Sequence, residues 1–356
     1  MDAPRDKTRR LLVGSVALGG GAPIAVQSML TTSTRDVTAC LAQISSLHKA
    51  GCEIVRVAIE SSKDLDAFEV ICKESPLPVV GDIHFDYRLA VQAAQRGAAK
   101  LRINPGNIGS TDKVDAVIDA AGEAGIPIRV GVNSGSLEQS IKEMEGLTLT
   151  NRLVLSAERS VEYFGSRGFQ DVVLSAKASD VLTTIEVYRQ LSEKLPHVPL
   201  HLGVTEAGTA KTGSIRSAVG IGALLAEGIG DTFRVSLTAD PTEEIRVARE
   251  ILTALGLGSA EQATLISCPT CSRCKVDLLS IADKVEKQLS TIEQPLKVAV
   301  MGCVVNGPGE AAEADVGVAC GMGTGAIFAK GEVLYTVEEG QITEALFSEI
   351  EKLLDE

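Results

Sequence analysis

The sequence predicts an α/β chain in two parts: a (β/α)8 TIM barrel over residues 1–258, then a small α/β domain over residues 259–356. Three observations carry that expectation. Between residue 23 and about residue 256, eight β-rich runs alternate with stretches whose apolar residues recur at three and four. Eight strand–helix units over such a length is the arithmetic of a closed barrel. No G-x-G-x-x-G follows the first run and no GK[ST] occurs, which weighs against a doubly wound sheet, the main alternative. After residue 260 the alternation shortens, and five of the eight cysteines fall there.

The first four barrel strands are expected at 23–29 (PIAVQSM), 54–59 (IVRVAI), 78–83 (PVVGDI) and 100–105 (KLRINP). The other four are expected at 128–133 (IRVGVN), 171–177 (DVVLSAK), 199–205 (PLHLGVT) and 231–237 (DTFRVSL). Each is short and β-rich, and many follow a Gly/Pro punctuator or a polar turn. Between them, DVTACLAQISSLHKAG and SDVLTTIEVYRQLSEKL have the spacing of helices that bury one face. GLGSAEQA reads as a linker. The second part reads as a strand (TLIS), the CPTCSRC segment, a helix over VDLLSIADKVEKQL and a strand (LKVAVMG). A Gly/Pro turn (NGPGE), short β segments at GVAC and VLYTV, and a helix from about Ile342 to Leu354 complete it.

With 47 acidic against 34 basic side chains the chain is formally −13, which excludes general nucleic-acid binding. The N-terminal MDAPRDKTRRLLVG has no long apolar stretch, and no run reaches the roughly 18 apolar residues of a spanning helix. A cytoplasmic location, away from membranes, is therefore expected. In that reducing compartment eight cysteines point to metal or redox chemistry rather than to disulfides.

The net charge hides a local reversal. Arg56, Arg102, Arg129, Lys177 and Arg234 each lie within or at the end of an apolar strand run. A buried cation is costly unless paired, so an acidic neighbour under the helices could hold each one. Five at matching positions suggest instead a ring of cations at the carboxyl-end mouth, where barrel enzymes place their sites. Such a ring suits a di- or polyphosphate. Asp82, His84, Asn104, Asn133, Thr205 and Glu206 thicken the same region, and Ser236 shares a face with Arg234. Glu206 is a candidate general acid or base, or else the partner that holds Lys177 or Arg234. His84 and His201 read equally well as core or catalytic residues.

The strongest local signal is Cys268-Pro-Thr-Cys271-Ser-Arg-Cys274, with Cys303 further along the chain. A CxxC turn offers two thiolates to one centre, and the pattern by itself admits zinc or an iron–sulfur cluster.

CPTCSRC, MGCVVNGPGEA, HLGVTEAG, GDIHFDYRLA, LRINPGNIG and IRVGVNSGSLE together resemble the bacterial 4-hydroxy-3-methylbut-2-enyl diphosphate synthase family of the non-mevalonate isoprenoid pathway. The resemblance runs from about Val13 to Val318. It implies a barrel followed by a domain similar to the sulfite-reductase fold, with a 4Fe-4S cluster held by Cys268, Cys271, Cys303 and Glu310. The implied reaction is the reductive ring opening and dehydration of 2-C-methyl-D-erythritol 2,4-cyclodiphosphate. By the same resemblance Arg56, Arg102, Asn104, Arg129, Asn133, Lys177 and Arg234 bind that substrate, helped by Thr205 and Ser236. Glu206 matches the acid/base carboxylate, and Asp82 is a second candidate.

A head-to-tail homodimer and a flavodoxin or ferredoxin donor are also implied, with Arg273 and Lys275 as candidate donor contacts. Two positions depart from the family pattern. Cys274 stands where many relatives have another residue, and Met29-Leu30-Thr31-Thr32 where some have Asn. Cys274 is expected to hold no iron, because a fourth thiolate would leave no iron open to substrate. The competing readings are a non-catalytic metal module and a pteroate-synthase-like barrel without redox chemistry.

Overall fold

Residues 1–258 and 259–356 form two units. The structure, a computed structural model, describes residues 3–258, 263–289, 292, 294–303 and 313–355.

In the first unit a hairpin of β1 (Leu11–Val13) and β2 (Val16–Leu18) precedes the barrel. Gly14 turns it at φ 57°, a conformation glycine adopts without steric penalty. Leu11, Val13 and Leu18 cluster with Ala25, Ile54, Val80 and Val173, each the first or second residue of its strand, so the barrel has an apolar floor.

The barrel strands are β3 (Ala25–Met29), β4 (Ile54–Ala58), β5 (Val79–Asp82) and β6 (Lys100–Ile103), then β7 (Ile128–Asn133), β8 (Val172–Lys177), β9 (His201–Leu202) and β10 (Thr232–Phe233). They pair in parallel in the order β8-β7-β6-β5-β4-β3-β10-β9, and a parallel Leu174–Leu200 bridge closes the ring. All eight expected strands are present, and the doubly wound order is not. The last two are shorter than the sequence suggests because the chain leaves the sheet into the loops that follow.

Alternation sorts the strand residues between two environments. Val26, Val55, Leu101, Ile103, Val130 and Leu174 face the helices in one large core, where burying each such side chain contributes about 1.5–3 kcal/mol. Their neighbours face inward. The helices start on side-chain caps: Asp36 accepts from the Ala39 N–H at 3.0 Å, Asp180 from Thr183 at 2.7 Å and Asp240 from Thr242 at 2.9 Å. Asp231, just before β10, accepts from Thr8 Oγ1 and from the Leu200 N–H, both at 2.8 Å, and ties the N-terminal segment to the barrel.

The second unit is a mixed sheet in the order β11 (Ala263–Ser267), β12 (Leu296–Met301), β13 (Val316–Cys320), β14 (Thr324–Ala329) and β15 (Glu332–Glu338). The first three run parallel and the last two antiparallel. Helices Leu278–Leu289 and Ile342–Leu354 bury Leu278, Ile281, Val285 and Leu289, and Ile342, Leu346 and Ile350, against it. The pattern missed β14, whose Gly and Ala content hides a strand, and the three-residue strands of the hairpin. The NGPGE turn lies outside the described residues. Among the described residues, no helix is long and apolar enough to cross a membrane.

Candidate active site

Strand register decides which cations meet. Arg56 pairs with Val80 and Asp82 with Arg102, so the ends of β4, β5 and β6 converge around one carboxylate. Arg102 Nη1 lies 3.3 Å and Arg56 Nε 3.8 Å from Asp82, which is 3% exposed. His84 Nε2 sits 3.2 Å from Asp82 and 2.9 Å from Arg102 Nη1. Burial alone would raise the Asp82 carboxyl, but Arg56, His84 and Arg102 hold it well below the usual range. Burial, partly offset by Asp82, brings Arg56 down to about 10. With its amide oriented to satisfy both ends, Asn133 accepts from Arg102 Nη2 at 3.3 Å.

Arg234 is held from the opposite side. Its guanidinium donates to Glu244 Oε2 at 3.2 Å and to Oε1 at 3.1 Å. Glu244 comes from the helix Pro241–Ala254, is 3% exposed, and also accepts from Ser28 Oγ and the Leu237 N–H. The alternative that Glu206 holds Arg234 is therefore replaced by Glu244. Met29 Sδ lies between two guanidiniums, 2.8 Å from Arg56 Nη2 and 3.5 Å from Arg234 Nη1.

The cations reach down into the barrel: Arg102 and Arg129 stand side by side in register, and both are buried. Arg129, next to the start of β7, is enclosed in the barrel, whereas Asn133 lies four residues further along the strand. Lys100, which the strand pattern did not single out, is enclosed at the start of β6. Burial, reinforced by neighbouring cations, holds Lys100, Arg129 and Lys177 well below their ordinary pKa values, and His201 likewise. Two glycines make room. A Cβ at Gly203 would lie 2.6 Å from Lys177 Nζ, and one at Gly131 would lie 3.0 Å from Arg102 Nε.

Asp82 and Asn133 end β5 and β7 as expected, whereas Asn104, Thr205, Glu206 and Ser236 lie in the segments that follow their strands. Thr205 and Ser236 are half-buried, and Asn104 caps the short helix Pro105–Ile108 by accepting from the Gly106 N–H at 3.0 Å. Glu206 is exposed and has φ 55°, a left-handed backbone that is unusual for a non-glycine residue. Such strain concentrates at functional positions.

In the second unit, parallel pairing of β11 with β12 puts Ser267 opposite Val300. Cys268 and Cys303 therefore leave the same end of the sheet. The Gly302 N–H donates to Cys268 Sγ at 3.1 Å, and a Cβ on Gly302 would lie 3.1 Å from Cys274 Sγ and 3.2 Å from Cys268 Sγ. Cys271 is exposed, and the Arg273 N–H and guanidinium hold its thiol below its ordinary pKa. Cys274 Sγ donates to the Val276 carbonyl at 3.4 Å. Among the described residues no three acidic, Cys or His side chains are drawn together as for a metal ion, and Glu310 lies outside them. The donor set still fits an iron–sulfur centre: soft thiols at one sheet end, with a backbone N–H on sulfur.

Comparison with known proteins decides the family. A profile described as the GcpE TIM-barrel domain matches residues 8–249, and one described as the GcpE protein C-terminal domain matches residues 264–352. The chain is 51% identical over 352 residues to the 4-hydroxy-3-methylbut-2-en-1-yl diphosphate synthase (flavodoxin) of Anoxybacillus flavithermus, covering 99% of this chain and 96% of that one. It is likewise 51% identical to the protein of the same name from Geobacillus thermodenitrificans, covering 99% and 94%. The chain belongs to the 4-hydroxy-3-methylbut-2-en-1-yl diphosphate synthase family.

Solved structures similar to this family member extend the likeness of the barrel alone. Dihydropteroate synthase from Yersinia pestis superposes with TM-score 0.52 at 13% identity, over 69% of this chain and 97% of the other. The Coxiella burnetii enzyme gives 0.51 at 12%, over 70% and 98%. At such identity the likeness concerns fold only, so it lends no support to a pteroate-type reaction. Within the diphosphate synthase barrel, sequence reasoning missed Glu244, Lys100, Gly131 and Gly203.

Proposed function

We propose that the barrel interior binds the cyclic diphosphate through Arg56, Arg102, Arg129, Lys177 and Arg234, and that Cys268, Cys271, Cys303 and Glu310 hold a 4Fe-4S cluster. The chain is an iron–sulfur oxidoreductase of isoprenoid precursor biosynthesis. It converts 2-C-methyl-D-erythritol 2,4-cyclodiphosphate to 4-hydroxy-3-methylbut-2-enyl diphosphate, taking up two electrons and two protons and losing one water. The observation that carries the substrate assignment is a charge imbalance. Among the described residues, six cationic side chains line one barrel against two paired carboxylates, Asp82 and Glu244. Bidentate guanidinium groups suit phosphate oxygens.

When bound, the cluster supplies the electrons and a Lewis-acidic iron. The protein residues divide the remaining work. Arg56, Arg102 and Arg234 neutralise and orient the diphosphate, and Asn104, Asn133, Thr205 and Ser236 supply neutral hydrogen bonds at the rim. Asp82, locked ionised between cations, positions Arg56, Arg102 and His84 and is a poor proton donor. Glu206, exposed at the rim on a strained backbone, is the carboxylate that carries the proton.

Flavodoxin is the electron donor, in keeping with the relatives' names. The exposed Arg273 and Lys275 beside Cys271 offer such an acidic partner a basic contact. A head-to-tail homodimer belongs to the same proposal, and sedimentation tests it. The deciding experiment is anaerobic purification with iron and sulfide analysis, followed by turnover of the cyclodiphosphate with reduced flavodoxin. About four irons with reductive turnover supports the proposal, whereas one zinc without redox activity ends it.

A further inference from the structure

Lys100 is fully enclosed, and among the described residues its Nζ has no hydrogen-bond partner. Its neighbours Leu101 and Ile103 belong to the core under the helices, so alternation turns Lys100 inward together with Arg102. In register it stands beside Val80, part of the apolar floor. Lys100 therefore lies between that floor and the guanidinium layer. The charges acting on it most are Arg129 and Arg56, both cations. The two buried carboxylates paired with the barrel cations are committed elsewhere: Asp82 to Arg56 and Arg102, Glu244 to Arg234.

A structural role explains this placement poorly. An unpaired ammonium in an enclosed site is strongly destabilising, and methionine would fill nearly the same space without that penalty. The surroundings repeat the pattern. Arg129 Nε and Nη1, Arg102 Nε and His201 Nε2 are also enclosed without hydrogen-bond partners among the described residues. An interior rich in donors and poor in acceptors is complementary to a ligand that brings acceptors alone, as a diphosphate does.

We propose that Lys100 is a further binding residue of this site, neutralising the diphosphate group from the floor side, beneath Arg102 and Arg129. The proposal rests on the assignment of the barrel interior to a diphosphate, and its test separates the two. The full-length protein, Lys100→Met, Lys100→Gln and Arg102→Met are titrated calorimetrically with inorganic pyrophosphate and with the cyclodiphosphate, and their melting temperatures are measured. Both Lys100 variants are expected to bind each ligand about tenfold more weakly or worse, with Lys100→Met melting at or above the wild-type temperature. Wild-type affinity in the Lys100 variants, with binding lost in Arg102→Met, overturns the role of Lys100 and leaves the diphosphate site standing. Wild-type affinity in all three overturns the diphosphate assignment itself. Weakened binding accompanied by a lower melting temperature in both Lys100 variants marks a structural residue and also overturns the proposal.

Discussion

Arg234 and Glu244 meet through two hydrogen bonds, at 3.2 and 3.1 Å, so a buried carboxylate on a barrel helix aims a cation just past the end of a barrel strand. Removing the charge of Glu244 while keeping its shape tests that dependence. Glu244→Gln is expected to lose about 3 kcal/mol of stability, because Arg234 would then lack its ionic partner. The KM for the cyclodiphosphate should rise about tenfold with kcat changing less, if Arg234 acts by binding. Unfolding curves and steady-state kinetics measure both effects.

Asp82 gives an acid-side signature. Its folded pKa is depressed below the ordinary 3.8 by Arg56, His84 and Arg102, despite burial. On acidification the unfolded chain therefore takes up the proton first. The stability Asp82 contributes is complete above about pH 4 and is lost as pH falls further. Asp82→Asn should be clearly less stable than wild type at pH 7, with the gap closing below pH 4. A gap that stays constant with pH would contradict the ion-paired assignment.

Asp231 behaves in the opposite sense. Burial raises its carboxyl from 3.8 to about 6, against the hydrogen bonds from Leu200 and Thr8. Between those values the folded chain holds a proton that the unfolded chain has lost, so this group adds stability as pH falls from about 6 toward 4. The size is on the order of 3 kcal/mol for a shift of about two pH units. Asp231→Asn should flatten that part of the melting-temperature profile, and an unchanged slope would refute the assignment.

Gly203→Ala tests the space reserved for Lys177, since the added Cβ would lie 2.6 Å from Nζ and 3.0 Å from the Arg234 carbonyl. The expected outcome is a folded protein with at least about tenfold weaker binding of the cyclodiphosphate by calorimetry. Unaltered affinity would show that Lys177 is free to move without loss.

Cys274→Ser is expected to retain iron, sulfide and visible absorbance, because its thiol is turned to the Val276 carbonyl. Cys303→Ser is expected to lose them. Equal loss in the two variants would make Cys274 a ligand and leave Glu310 without that role.

The legible part of the site was the set of cations embedded in β-branched runs. A charge such as Arg56 in IVRVAI has few places to point in a two-sided strand, and function is one of them. Glu244 was not legible because it sits in a first helical turn, PTEE, where acids are ordinarily solvated and favoured by the helix dipole. Lys100 was missed because it begins its strand, where a lysine normally marks the surface. Gly131 and Gly203 carry no chemistry of their own. What a Cβ would strike emerges only once β6 lies beside β7 and the end of β8 beside the end of β9, with Arg102 and Lys177 turned inward. Much of the barrel was readable because strand and helix periods alternate cleanly, whereas the three-residue strands of the N-terminal hairpin are too short to show a period and the Gly and Ala of β14 blur it.

The hairpin's apolar floor has an electrostatic consequence. Beneath the cations lies hydrocarbon, from Leu11, Val13 and Leu18 together with the first inward residues of four strands. A low-polarisability base screens nothing, so the field of the enclosed charges spreads mainly through the open end. The molecule as a whole carries −13 and repels small anions. A polyanion approaching a chain of this net charge should thus be drawn in at the barrel mouth, and its capture rate should fall with ionic strength.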